Sequence, residues 1–146
     1  MLSDAMRRVV AHMRANQKQI GEFQALEFFA RGGDWHTQDY ADHVSQLHAW
    51  EIDPSHFNAL RQNLLKAKVL IGDSFELARL PRFKGMFNLV VLDNPQGIFG
   101  ANNEYCEHFE ALAIAKNLLV RKQNSFVLFN VNSKPFSYHL WPDWRV

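Results

Sequence analysis

Residues 26–53 read LEFFARGGDWHTQDYADHVSQLHAWEID, and this stretch decides the fold. An apolar run enters a glycine pair, a polar segment with helical spacing follows, and a second apolar run ends in Glu51. The pattern predicts strand, tight turn, helix, strand. In open α/β sheets a glycine turn lets the backbone approach a ligand at a strand's carboxyl end, and an acidic residue ending the next strand can bind ribose hydroxyls. A nucleoside-binding edge is therefore the first functional expectation.

Upstream of this stretch, Ser3 is positioned to cap a helix, and Met6, Val9, Val10 and Met13 share one helical face, predicting a helix over 4–15. Gly21 punctuates, and Phe23 to Ala30 suits a strand buried on both faces. Within the stretch, Tyr40, Val44 and Leu47 recur at helical spacing before a second strand around Ala49 to Ile52. Downstream, Asp53-Pro54 opens a helix with Phe57, Leu60 and Leu64 as its buried face. Val69 to Ile71 is a third strand ending in Gly72 and Asp73, and Ser74 is placed to cap a short helix that Pro81 stops. Phe87 to Leu92 is the fourth strand and leads into the turn-rich Asp93-Asn94-Pro95-Gln96-Gly97. Tyr105, Phe109, Leu112 and Leu119 mark the inner face of the next helix, and Phe126 to Val131 is the fifth strand.

Strands alternating with helices imply right-handed crossovers. The expected fold is α/β: a doubly wound, mostly parallel sheet of about five strands in the order 3-2-1-4-5, with helices on both faces. A chain of 146 residues at 47% hydrophobic content suits one domain. It divides into an N-terminal helix (1–20), an α/β core (22–131) and an aromatic tail (132–146). A formal charge of +1, with no basic block, gives no support to a nucleic-acid groove. The single cysteine, Cys106, excludes an internal disulfide and suits a buried small residue better than a nucleophile. With no signal-like start and no long apolar span, the expectation is a cytoplasmic protein without a membrane partner.

Four motifs in register resemble the class I methyltransferases that use S-adenosylmethionine. They are Glu27-Phe28-Phe29-Ala30-Arg31-Gly32-Gly33, Trp50-Glu51-Ile52-Asp53-Pro54, Ile71-Gly72-Asp73-Ser74-Phe75 and Leu92-Asp93-Asn94-Pro95. Together they span about residues 22 to 131. The resemblance implies that Glu27 enters the turn, that the backbone of Ala30, Arg31, Gly32 and Gly33 wraps the methionine part of the cofactor, and that Glu51 accepts both ribose hydroxyls. It implies further that Ile52 packs on adenine, Asp73 accepts from the adenine amino group with Ser74 or Phe75 beside the ring, and Asp93 and Asn94 face the methyl group and the acceptor. A carboxylate bridging a diol makes charge-assisted hydrogen bonds, and an acidic lining suits a sulfonium cation. Removing Glu51 is then expected to weaken binding while leaving the melting temperature of the free protein nearly unchanged.

Two of the motifs depart from the family. Arg31 stands in place of the first turn glycine, its side chain pointing away from the cofactor or reaching its carboxylate. Gln96 and Gly97 replace the second proline and the aromatic of the nucleic-acid amino-group methyltransferases, so that base-stacking platform is missing. The expected function is a methyltransferase acting on an unidentified acceptor. The alternative is a non-catalytic binding module or partner subunit of the same fold.

Simpler readings stand beside these. Glu51 and Asp73 also suit helix capping, and Asp93 and Asn94 suit turn chemistry. His36, Asp39 and His43 fall on one face if helical, but no further ligand accompanies them and no metal is assigned. No Ser-His-Asp order, phosphate loop or Gly-x-Gly-x-x-Gly spacing occurs to support a hydrolase, a nucleotide triphosphatase or a nicotinamide enzyme.

The family's sheets have seven strands, and the fifteen residues after Val131 are too few for the last two. The tail holds Phe136, Tyr138, Trp141 and Trp144, with Pro135 and Pro142 resisting helix. It is expected to pack as an extended segment over its own sheet edge or a neighbouring subunit's, with self-association or a missing partner as the consequence.

Overall fold

A computed structural model describes residues 4–16, 20–34, 36–92, 98–99, 105–121 and 124–129. Five strands form one sheet: β1 (Gln24–Glu27), β2 (Gln46–Glu51), β3 (Lys68–Ile71), β4 (Leu89–Leu92) and, last in the chain, β7 (Phe126–Phe129). Their order is β3-β2-β1-β4-β7 and every pairing is parallel, which is the predicted doubly wound order with its last strand fifth in the sheet. A separate antiparallel pair, β5 (Ile98–Phe99) and β6 (Tyr105–Cys106), follows β4.

Among the described residues five α-helices accompany the sheet: α1 (Asp4–Ala15), α2 (His36–Ala41), α3 (Phe57–Asn63), α4 (Ser74–Arg79) and α5 (Glu107–Leu118). Side chains alternate across a strand, so each strand feeds two cores. Ala25, Leu47, Ala49, Leu89 and Val91 meet Met6, Val10 and Met13 of α1, Tyr40 of α2 and Leu60 of α3. On the other face Leu26, Phe28, Trp50, Val90 and Leu92 meet Ala78 of α4 and Ala111, Ala115 and Leu118 of α5. Size is complementary on both sides. Alanines in β1 and β2 receive large helical side chains on one face, and alanines of α4 and α5 lie over large strand residues on the other, as close packing demands.

Several elements differ from expectation. β1 ends at Glu27 rather than Ala30, because the backbone turns there: Phe28 N donates to Val91 O at 3.0 Å, and Ala30 N donates to Trp50 O at 2.8 Å. Leu47 belongs to β2, not to a helix, since α2 stops at Ala41 and β2 begins at Gln46. Asp53-Pro54 opens a 3-10 turn (Pro54–His56) before α3, and Phe57 is exposed while Leu60 and Leu64 are buried. That extra tight turn rotates the helical face one expects from an unbroken α-helix. Asp73, not Ser74, caps α4, and Pro81 opens another 3-10 turn (Pro81–Phe83). Phe87 bridges to Leu119 at the end of α5 instead of lengthening β4. Tyr105 lies in β6, and the inner face of α5 is built from Ala111, Ala115 and Leu118, with Leu112 and Leu119 half-buried. The side chains of Cys106 and Phe109, residues 130–131 of the expected fifth strand and the aromatic tail lie outside what is described. No helix among the described residues is long and apolar enough to cross a membrane.

Candidate functional site

The described residues of the predicted set lie at or just after the ends of β1, β2 and β3, because parallel strands present their carboxyl ends together. Glu27 ends β1 and Glu51 ends β2. The last residue of β3, Ile71, is in register with Glu51, and Gly72 N donates to Glu51 O at 2.8 Å. The turn after β1 folds over the end of β2 through the Ala30–Trp50 bond and closes on itself, with Gly33 N donating to Ala30 O at 2.8 Å. Asn63, from the last residue of α3, donates to Gly32 O at 2.7 Å and pins the turn from the other side.

Glu51 is 7% exposed, and its carboxylate ties this turn to β2. Oε2 accepts from Arg31 N at 2.6 Å and Oε1 accepts from Asp53 N at 2.9 Å. A carboxylate has about four acceptor positions, so two hydroxyls can still be received alongside two amides. These bonds give Glu51 a structural duty that spacing did not disclose. Asp53 in turn accepts from Ser55 N at 2.8 Å, and that backbone donor holds its carboxyl below the usual range.

Arg31 is exposed and adopts φ 47°, the only described residue other than glycine at positive φ. It therefore holds a backbone conformation that favours glycine and leaves its side chain at the surface. Left-handed geometry costs a branched-at-Cα residue roughly 1–2 kcal/mol, against roughly 0.5–1 kcal/mol of extra chain entropy lost by glycine. Arg31→Gly should raise stability by up to about 1 kcal/mol. A thermal melt checks this; a lower melting temperature would mean that the arginine side chain makes a compensating contact.

Glu27 is 1% exposed and bonded from α2: Thr37 Oγ1 donates at 3.0 Å and Tyr40 OH at 2.5 Å. A buried carboxyl group needs such donors. Thr37 and Asn63 were not singled out from the sequence, and Tyr40 was read only as part of a helical pattern. Thr37 and Tyr40 are three apart and so share a helical face, which is the signal that could have paired them with a buried acid.

Asp73 accepts from Phe75 N at 2.8 Å and Glu76 N at 3.3 Å, as the cap of α4. Ser74 is buried, and its hydroxyl donates to Phe28 O at 2.5 Å, locking α4 to the end of β1. Phe75 is half-buried and packs edge-on against Phe28, with ring centroids 5.4 Å apart, and lies 6.0 Å from Phe29. Ile52 is 65% exposed, a large apolar side chain in the open at the carboxyl edge. Asp93 and Asn94 follow β4 directly but lie outside the described residues. His36 Nδ1 stands 3.6 Å from Asp39 Oδ2, whereas His43 is beyond the end of α2 and off its face. Among the described residues no group of three His, Cys, Asp or Glu is placed to hold a metal.

No known family profile matches the sequence, and no curated protein does. Solved structures do match. A candidate methylase from Haemophilus influenzae superposes with a TM-score of 0.60 at 17% identity, over 92% of this chain and 83% of that one. A candidate methyltransferase from Bacillus halodurans gives 0.62 at 16% identity, over 92% of this chain and 55% of that one. A candidate methyltransferase from Escherichia coli gives 0.58 at 16% identity, over 87% and 68%. Likeness at such identities speaks to the fold. Given that likeness, the sheet order β3-β2-β1-β4-β7 and the turn that closes over the end of β2, the chain has the class I S-adenosylmethionine-dependent methyltransferase fold.

Proposed function

We propose that the protein binds S-adenosylmethionine across the carboxyl ends of β1, β2 and β3 and transfers its methyl group to an acceptor near the end of β4. The observation that carries this reading is the buried Glu51 carboxylate held at the hinge between the glycine turn and Ile52. In this arrangement Glu51 would receive the ribose diol, Ile52 would lie against adenine, and the turn from Ala30 to Gly33 would follow the methionine part. Asp73 keeps the cap of α4 and could receive the adenine amino group through its remaining acceptor positions. The cofactor supplies an electrophilic methyl on a sulfonium. The chain's contribution is alignment of acceptor and methyl, which can account for much of the rate of a displacement.

Calorimetric titration with S-adenosylmethionine and S-adenosylhomocysteine tests the reading directly. Saturable heat with both is expected, and heat with neither would sink it. Glu51→Ala should weaken binding by roughly 1.5–3 kcal/mol for each charged hydrogen bond to the ribose that is lost. Its two amide bonds mean that the melting temperature of the free protein should fall as well, contrary to the sequence-based expectation. Affinity must therefore be measured well below the variant's melting transition. A lower melting point with unchanged affinity would leave Glu51 as a loop tie alone.

A further inference from the structure

A groove of about 420 Å³ lies between the ends of α2 and α3, beside the starts of β2 and β3. Its floor is apolar and formed by the buried Leu47, Leu64 and Ala67. Its walls are polar. Asp42, just after α2, and Lys66, after α3, meet with Nζ 3.2 Å from Oδ1, and Gln38 and Gln62 add a side-chain amide from each helix. None of the residues assigned above to the cofactor lines this groove. Two of its residues nevertheless hold the glycine turn. Asn63 Nδ2 donates to Gly32 O at 2.7 Å, and Leu64 packs so closely under Gly33 that a Cβ there would lie 2.7 Å from Cδ1.

We propose that this groove is a second ligand site, for a free α-amino acid with a large apolar side chain, and that filling it steadies the glycine turn. Charge complementarity selects the zwitterion. An α-amino acid carries its ammonium and its carboxylate on neighbouring atoms, so both can engage one Asp42–Lys66 pair at once. A lysine ammonium has three donors and a carboxylate about four acceptor positions, so the ligand's two groups can join the pair without breaking it. Both side chains are 77% exposed, where an ion pair contributes little by itself and can adjust to a ligand. A phosphate is disfavoured, because the lysine of the described lining is already matched by an aspartate.

Volume and floor select the side chain. A dry cavity of about 150 Å³ holds benzene, so one of about 420 Å³ holds roughly fifteen heavy atoms, the size of an amino acid with a two-ring side chain. Leu65 stands on the rim at 85% exposure, and an apolar side chain in the groove would cover it. The link to the turn follows from the supports they share. α2 comes directly after the turn and α3 ties it through Asn63, so a ligand bridging the two helices fixes the turn from both sides. Order completed by one ligand tightens the binding of a second that needs the same order, and the effect is reciprocal. The site itself stands apart from the methyl-transfer reading; only its consequence for cofactor affinity rests on it.

The test uses the whole chain without cofactor and L-tryptophan as probe, titrated calorimetrically. Saturable heat is expected. Tryptamine, which lacks the carboxylate, and indole-3-propionate, which lacks the ammonium, should each bind about tenfold or more weakly. Asp42→Asn and Lys66→Met, at exposed positions where folding is spared, should each weaken L-tryptophan by about the same factor, and Gln38→Trp, which places a ring in the groove from an exposed helix position, should block it. Amide hydrogen exchange reads the turn. With L-tryptophan bound, the amides of Arg31 and Gly33, which donate to Glu51 and Ala30, should exchange several-fold more slowly, and Asn63→Ala at saturating L-tryptophan should lose this slowing. No heat with L-tryptophan, equal binding of the two singly charged analogues, or full binding by Gln38→Trp would each overturn the site. Unchanged exchange at Arg31 and Gly33 would overturn its link to the turn. Calorimetry with S-adenosylmethionine, with and without L-tryptophan, separates the two readings, and the cofactor should bind several-fold more tightly when the groove is filled. A wild type that takes L-tryptophan and slows its turn amides but takes no cofactor would remove methyl transfer and leave the groove standing; one that takes the cofactor alone would do the reverse.

Discussion

Gly33→Ala is expected to destabilise the protein by about 2–5 kcal/mol, a large share of a typical domain's stability. Gly33 has φ +66°, and a Cβ placed on it would lie 2.7 Å from Leu64 Cδ1, 2.8 Å from Leu64 Cγ and 3.1 Å from Leu60 Cδ2. Both leucines are buried in the core beneath α3, so neither can swing away. The left-handed backbone contributes roughly 1–2 kcal/mol to the loss and overpacking roughly 1–3 kcal/mol. Gly32 is the control. A Cβ there meets Asp34 Oδ1 at 3.3 Å and Ala59 Cβ at 3.6 Å, and its φ is not positive, so Gly32→Ala should cost far less. Denaturant unfolding of the two variants reads the difference. Equal losses would mean that the turn yields as a whole and that its close approach to α3 is not what requires glycine.

Acid sensitivity from His48 is the second large effect. His48 lies on β2 at 5% exposure, with its ring edge-on to Phe87 at 5.2 Å and to Phe83 at 6.1 Å. Neither ring nitrogen has a hydrogen-bond partner among the described residues. Burial first, and then the Lys68 ammonium on the neighbouring strand, push its pKa down from 6.5 to about 4. The fold thus favours neutral imidazole, while the unfolded chain takes up a proton near pH 6.5. Stability is complete above about 6.5, falls as pH drops and levels off below about 4, with a total on the order of 3 kcal/mol. His48→Leu removes the titration and keeps an apolar side chain among the rings. The stability gained by the variant over the wild type should grow by that amount between neutral pH and pH 4, measured by denaturant unfolding across the range. Parallel curves would show that His48 has the same pKa in the folded and the unfolded protein.

The sheet, the glycine turn and the acidic strand ends were legible in the sequence because each rests on short-range physics. Apolar runs of four to six residues between glycine, proline and aspartate mark strands, and Met6, Val10 and Met13 mark the buried stripe of α1, whose bounds the periodicity reached. From the alternation of such segments the doubly wound order follows, since right-handed crossovers leave few other arrangements. Phe57 and Leu47 were misplaced for the same reason that the rest was legible. Periodicity reads a face correctly only while one element continues, and a 3-10 turn before α3 and an early start of β2 reset the phase.

What each carboxylate does was decided by the tertiary structure alone. Glu51 bonds an amide twenty positions earlier in the chain, Glu27 is met by a tyrosine from the next helix, and Asp73 turns back on its own helix. All three read alike in sequence, as an acid at a strand end or turn. The same holds for Arg31, whose identity argues against a left-handed turn and whose backbone nevertheless adopts one because bonds to Glu51, Ala30 and Asn63 hold the loop from three sides. It holds also for His48, which periodicity places on a strand but which only packing surrounds with Phe83 and Phe87. By itself the sequence determined which segments form strands and helices and which acidic and glycine residues fall at the carboxyl ends of the strands, because local propensity and burial pattern are written in neighbouring residues. Partners, strain and protonation depended on the tertiary structure, because they are set by groups brought close from distant parts of the chain.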